Sequence, residues 1–361
     1  MILPARAMQS DYMNFAKLRV AARFGLASSG VADCAMSDLA PTLDDLALHG
    51  PNAYGFAPLT DRIAGRFGVE PAHVVAAGGA SFANHLAFAA LVSPGDEVLI
   101  EDPTYELLRA TLGYFQADLQ TFPRRPADDW RLDPHAVIER LTPRTRLVVL
   151  TNLHNPTGAL AGEGAVAAIA RAADRVGALV LIDEVYRELL FRSGEAHTDF
   201  RPDGNIVVTS SLTKAYGLSG LRCGWILAPA GAAERMRRLN DLFASLPPHM
   251  AERLSVRAFD RLGGLRERAN AMIDANRAAY REILGEHPRL EQTVFDQGTT
   301  VFPRVAGADG ETVYQRLLAD YETSVVPGRF FGCPEHIRIG LGGDPAMTRS
   351  GLERIRAFLD A

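Results

Sequence analysis

Lysine is almost missing from this chain. Of the 38 lysine and arginine residues among its 361, only Lys17 and Lys214 are lysine. The other 36 positive charges sit on arginine, whose guanidinium stays protonated at any accessible pH. Chemistry that needs an amine able to lose its proton and attack a carbonyl therefore has two side chains to draw on. Cysteine is scarce too: Cys34, Cys223 and Cys333 stand far apart without a C-x-x-C pair. That pattern excludes a disulfide framework and a thiolate zinc site, and it fits a reducing compartment. The nine histidines include no H-E-x-x-H, so a metal centre has little support. No apolar run approaches the roughly 18 residues of a membrane span. The N-terminal stretch, with Arg6, Asp11 and Lys17 among short apolar pieces, does not have the form of a signal peptide. A net charge of −5 with no basic run argues against a nucleic-acid surface. The expectation is a soluble cytoplasmic protein, long enough for one large and one smaller domain.

Seven short apolar segments are present, at 73–77, 97–100, 119–122, 147–150, 179–182, 206–209 and 224–227. Helical patterns cover 11–24, 60–67, a stretch after Ser81 through Val92, and 163–176. Apolar strands alternating with helices predict a largely parallel sheet covered on both faces. After about Ala228 the chain turns Arg- and Glu-rich and helical to about Gly285. Short strands between 292 and 305, a helix at 311–320, a strand at 337–339 and a closing helix follow, which predicts a smaller α+β unit. On the N-terminal helix Lys17 reads as a solvated side chain. In the next loop Gly30 is either a backbone contact for substrate or part of a plain connector.

The chemistry gathers around SSLTKAYGLSGLRCGW, in which Lys214 occupies a turn between two apolar strands. The strand ALVLID ends in Asp183-Glu184-Val185-Tyr186, and VVLTNLHNPTG ends in Asn155-Pro156-Thr157-Gly158. Gly78-Gly79-Ala80-Ser81 links a strand to a helix start, where free backbone N–H groups and the helix dipole favour an anion. Arg222 follows Lys214 by eight residues. These positions are expected at one edge of the sheet, where open α/β folds bind ligands. Each also has an ordinary reading. Asp183 could cap a helix and Tyr186 or Tyr105 could simply pack. Asn155 suits a turn, and Arg222 and Arg338 could be surface charges. His154, beside Asn155, could line the pocket or do acid–base work. Trp130 and Trp225 read as structural, and Cys223 as a small core residue.

Taken in order, GGAS, DPTYE, NPTG, DEVY, SLTK, GLRCGW and VVPGRFFG…IRIG resemble the class I/II aminotransferases, pyridoxal-phosphate (PLP) enzymes of fold type I similar to aspartate aminotransferase. The similarity runs over essentially the whole chain, and the combination of NPTG, D-x-x-Y and S-x-x-K-x-x-G-x-x-G-x-R is specific. It implies a three-layer α/β/α PLP-binding domain at 46–235, and a small domain formed by the N-terminal arm 1–45 with 236–361. Lys214 would then hold PLP as an internal aldimine and shuttle the substrate proton. Asp183 would pair with the pyridinium nitrogen, and Tyr186 and Asn155 would bond O3′. Tyr105 would stack on the ring. Gly79, Ala80, Ser81, Ser211 and Arg222 would hold the phosphate, and Tyr54 would reach the phosphate of the neighbouring subunit of a homodimer. Arg338, with Asn155 and Gly30, would bind substrate, Arg338 clamping the α-carboxylate. The implied activity is amino-group transfer between an amino acid and a 2-oxo acid, in amino-acid metabolism or biosynthesis. The alternatives are a β/γ-eliminating lyase or other Cα chemistry with the same residues, and a non-catalytic PLP or amino-acid sensor. The latter form occurs fused to DNA-binding modules, and no basic recognition helix is seen here.

Overall fold

The apolar segments pair into one seven-stranded sheet. Its strands in chain order are β1 (Val74–Gly78), β2 (Glu97–Asp102), β3 (Asp118–Pro123), β4 (Thr145–Thr151), β5 (Leu179–Asp183), β6 (Ile206–Ser211) and β7 (Cys223–Leu227). Across the sheet they run β1-β7-β6-β5-β4-β2-β3. The computed structural model describes residues 8–190 and 197–361. Residues 1–7, Arg6 among them, and 191–196 lie outside that description.

Neighbours from β3 through β6 are parallel, whereas β7 runs antiparallel to both β1 and β6. The largely parallel sheet is as expected, with one strand reversed. A parallel return needs a crossover of roughly a dozen residues or more, usually a helix spanning the sheet. The link from β6 to β7 holds only the short helix Thr213–Tyr216 and the turn Ser219–Leu221. It turns back at the edge it left. Arg222, which enters β7, therefore lies at the same edge as the residues that leave β4, β5 and β6.

Successive strand residues point to opposite faces, and both faces are covered. Val148, Leu150, Val180, Ile182 and Val208 pack with Ile169 of helix Ala165–Arg175. Leu147, Val149, Leu181 and Val207 pack with Leu86 and Phe88 of helix Ala80–Leu91. With no face left to water, the strands read as continuous apolar runs. Beyond β7, Tyr280, Val313, Ile339, Leu352 and Ile355 form a second core that takes in Leu26 from the N-terminal segment. The long helix Leu262–Leu284 joins the two cores. Its Leu262, Leu265 and Ile273 belong to the sheet's core, and its Tyr280 and Leu284 to the other.

The first helix, α1, spans Asp11–Leu18, capped by the Ser10 side chain accepting from the Met13 N–H. The apolar spacing suggested a helix reaching Phe24. The helix instead stops at Leu18, because Phe24–Gly25 is taken up in a parallel pair with Thr323–Ser324. Tertiary pairing overrides local periodicity here.

Candidate active site

A cavity of about 750 Å³ opens at the edge where β4, β5 and β6 end. Lys214 projects from Thr213–Tyr216, the short helix that follows β6, and is half-buried in the cavity wall. Burial is the largest influence on its amine and lowers its pKa below the ordinary lysine value. The positive charges of Arg338 and Arg222 add to that lowering, while Tyr12 and Asp183 oppose it. A lysine so placed is part of the way to being a nucleophile. Gly30 lies against its stem: a Cβ there would meet Lys214 Cδ at 3.1 Å.

Asp183, the last residue of β5, is buried in the same cavity. Its Oδ1 accepts from the Val185 N–H at 3.0 Å and its Oδ2 from Asn84 Nδ2 at 2.8 Å. The Thr209 hydroxyl donates to Asn84 Oδ1 at 2.6 Å, fixing which way that amide faces. Burial raises the Asp183 carboxyl, and the two hydrogen bonds and the Lys214 charge pull it back. Tyr186 donates to Ser29 Oγ at 2.8 Å, and burial lifts its phenol to about 12.

The anion cradle is built by close backbone approach. Gly79 has φ +86, and a Cβ on it would come 2.3 Å from Arg222 Nη2; a Cβ on Gly224 would come 2.5 Å from the Gly79 carbonyl carbon. Only glycine fits either place. Ala80 and Ser81 open helix Ala80–Leu91 and line the cavity with Ser211, Thr213 and Arg222. The Thr213 hydroxyl is buried without a partner among the described residues. A buried hydroxyl with nothing to bond is a costly feature that a bound acceptor would relieve.

Arg338 is fully buried. It donates from Nη1 to Asn155 Oδ1 at 3.0 Å, and from Nη2 to Tyr12 OH at 2.9 Å and Ala27 O at 3.2 Å, while its Nε has no partner among the described residues. Asn155 Oδ1 being taken, the Asn155 amide N–H₂ is the end left to face the cavity. Tyr12 stacks edge-on to Tyr105 at 5.5 Å between ring centroids. Burial alone would raise the Tyr12 phenol, but the Arg338 and Lys214 charges and the Arg338 hydrogen bond hold it below its usual value.

The structure thus gathers Lys214, Asp183, Tyr186, Asn155, Tyr105, Ala80, Ser81, Ser211 and Arg222 around one cavity, with Arg338 and Gly79 directly behind that wall. Tyr54 is elsewhere. It is half exposed and bonded to Arg238 and Asp241 on the surface. His154, which by its place in the sequence could line the pocket or do acid–base work, is not among the residues lining the cavity. It is buried with Nδ1 on Thr157 Oγ1 at 2.7 Å and Nε2 on Pro103 O at 2.9 Å, and burial, then Arg124, hold it well below the usual histidine value. Lys17 is exposed as expected, yet it also lines the cavity. Tyr12, Asn84, Thr209, Thr213 and Ser29 escaped the sequence reading. Asn84 alone left a sign, a polar residue inside an otherwise apolar helix.

A model of the aminotransferase class I and II family matches residues 44–355. The chain belongs to this family. It is 31% identical over 317 residues to capreomycidine synthase of Streptomyces vinaceus, covering 87% of this chain and 81% of that protein. It is 29% identical over 318 residues to the arginine–pyruvate transaminase of Pseudomonas aeruginosa, covering 82% and 79%. Among solved structures it resembles a PLP-dependent cyclase at a TM-score of 0.89 and 25% identity, covering 99% of each chain. The fold of this aminotransferase is accordingly fold type I, and its cofactor is pyridoxal 5′-phosphate. The residues present fit that group. There is a half-buried amine of lowered pKa, a buried carboxylate held by two donors, an aromatic wall, and a glycine-framed cradle with a guanidinium and an unpartnered hydroxyl. Among the described residues no helix is long and apolar enough to cross a membrane.

Proposed function

We propose that the cavity carries out amino-group transfer between an α-amino acid and a 2-oxo acid through the residues gathered there. The reading rests above all on Lys214, a half-buried amine with a lowered pKa in the same cavity as Asp183 and the anion cradle. Lys214 would hold PLP through its amine. Asp183 would face the ring nitrogen, Tyr186 and the Asn155 amide would bond O3′, and Tyr105 would cover one face. Gly79, Ala80, Ser81, Ser211 and Arg222, with Thr213 in addition, would hold the phosphate. When bound, the cofactor supplies an electron sink for the Cα carbanion and carries the amino group between the two half-reactions. Arg338 would take the substrate α-carboxylate, its unused Nε being the donor left over, with Asn155 holding it in place and Gly30 giving Lys214 room. Lys214 Nζ, whose proton is held less tightly because of burial and the nearby guanidinium charges, would take the proton from the substrate Cα and give it back in completing the transfer. The first amino acid leaves as its 2-oxo acid, and a second 2-oxo acid leaves as an amino acid.

This reading divides the chain into 46–235 around the cofactor and 1–45 with 236–361 bearing Arg338 and Tyr12. It also takes the assembly to be a homodimer. Leu43, Leu48, Leu242, Phe243 and Leu246 are all exposed, on segments near Tyr54 in the chain or in contact with it. An apolar surface of that kind suits a second copy of the chain, with Tyr54 reaching the partner's phosphate site. A reducing, cytoplasmic setting fits the three free cysteines.

A second reading stays in view because one relative is a synthase and one structural neighbour a cyclase. The same groups could then direct the Cα carbanion to elimination or ring closure. The visible absorption of the PLP-loaded protein separates the two. Under the first reading, productive amino donors bleach the imine band and release a 2-oxo acid, and Lys214→Ala does neither. Release of ammonia, or a product retaining the amino group, favours the second. Protein that takes up no PLP ends both.

A further inference from the structure

Both lysines of the chain line one cavity. Four charged side chains belong to that wall: Lys17, Asp183, Lys214 and Arg222. Three have duties in the reading above. Lys17 has none, and it makes no hydrogen bond or ion pair among the described residues.

Its position is set by α1. The helix turns Ser10, Tyr12, Met13, Ala16 and Lys17 toward the cavity, while Asp11, Asn14 and Leu18 face away and are exposed. Residues three and four apart share a helix face, so Ser10, Met13 and Lys17 form one row. The Tyr12 hydroxyl touches Arg338 at 2.9 Å, and Lys17 lies five residues further on, roughly 7.5 Å along the axis at 1.5 Å per residue. The helix therefore places a contact of the α-carboxylate clamp and an unpaired ammonium on one wall. Nearby charges do not cancel the ammonium. Glu106 accepts the Ser10 hydroxyl and is not part of the wall, and Asp11, the acid on the same helix, is turned away from it.

We propose that Lys17 receives an anionic group, carboxylate or phosphate, at the far end of the substrate, so that the preferred donor or acceptor carries a second acid beyond its α-carboxylate. This rests on the amino-transfer reading and deepens it. The charge balance of the wall points the same way. The sole acid lining the cavity among the described residues is Asp183, at its floor and tied to Asn84, so a guanidinium-tailed donor has no counter-charge to meet.

The test uses the full-length, PLP-loaded protein. The spectral half-reaction is measured with glutamate, aspartate, O-phosphoserine, leucine and arginine, for the natural chain and for Lys17→Gln, Lys17→Arg and Lys17→Glu. The natural chain should favour an acidic donor over leucine, with glutamate against O-phosphoserine telling carboxylate from phosphate. In Lys17→Gln that ratio should fall by about ten- to a hundredfold, the worth of one charge-assisted hydrogen bond. The loss should lie in the donor's dissociation constant more than in the limiting rate. Lys17→Arg should restore most of it, and Lys17→Glu should move preference toward arginine. A ratio that stays within twofold in Lys17→Gln, or a natural chain that prefers arginine, overturns the proposal. If no donor changes the spectrum, amino transfer itself has failed and the proposal falls with it.

Discussion

Asn84 shows how much one side chain off the cavity can decide. Its amide donates to Asp183 Oδ2, and Thr209 holds it in that orientation. Without it, burial would push the carboxyl further toward the neutral form, and a neutral carboxyl cannot hold a protonated ring nitrogen. Asn84→Leu, which keeps the volume, should therefore weaken PLP binding about tenfold, one hydrogen bond to a charged acceptor. A fluorescence or absorbance titration of PLP into the apo protein reads this directly, and an unchanged dissociation constant would remove Asn84 from the site. Tyr12→Phe makes a different prediction. It retains the ring against Tyr105 but strips the Arg338 Nη2 of its phenol partner, leaving Ala27 O. The KM for amino donors should rise several-fold with a smaller change in kcat, since the clamp is loosened and the proton-transfer groups are not touched. Sequence could name Lys214, Asp183, Asn155 and Arg222 because each lies at, or within a few residues of, the end of a strand with a recognisable neighbourhood. Tyr12 lies 326 residues from Arg338, and nothing local marks it.

At the scale of elements, the reversed strand β7 makes the cradle possible. It delivers Arg222 to the edge where β5 and β6 end, and it brings Gly224 against Gly79 of the turn after β1. Gly224→Ala would force a Cβ to within 2.5 Å of that backbone. The two strands would have to part, at a cost of about 1–3 kcal/mol for an overpacked contact. Thermal unfolding should show the loss of stability, and weakened PLP retention should accompany it because the displaced residue is Gly79. Helix α1 is held at its start by Ser10, whose side chain caps the Met13 N–H and also bonds Glu106. Its early end at Leu18 could not be read from spacing, since the competing partner, Thr323–Ser324, is about three hundred residues away.

For the whole molecule, pH acts through groups the fold has buried. Glu184, next to Asp183, is almost wholly enclosed. Burial raises it to about 8, against the opposing pull of Arg187 and the Asp199 N–H. Its folded pKa lies above the unfolded one, so the protonated side chain favours the fold below the ordinary carboxylate range. That contribution is lost as the pH climbs to about 8. Glu184→Gln, permanently neutral, should not lose it. The melting temperature of the variant minus that of the natural chain should therefore grow between about pH 5 and pH 8 and level off above, and a flat difference would contradict the assignment. Assembly gives the second prediction at this scale. Replacing Leu242 and Phe243 by Asp should convert a dimer to monomer in sedimentation, and a natural chain that sediments as a monomer would remove Tyr54 from the phosphate site.

The order of chemical signals along the chain, the alternation of apolar strands with helices and the single lysine in a strand-to-strand turn are local properties, and from them the family, its cofactor and nine of the cavity-lining residues could be read. They survive in one dimension because strand ends, glycine turns and helix starts need particular residues within a few positions of each other. The reversed β7, the early end of α1, the Asn84–Thr209 support of Asp183 and the meeting of Tyr12 with Arg338 are set by contacts between segments tens to hundreds of residues apart. So is the place of Lys17. On a helix surface an unpaired lysine looks the same whether it faces solvent or a cavity, and only the packing of α1 over the sheet edge decides which.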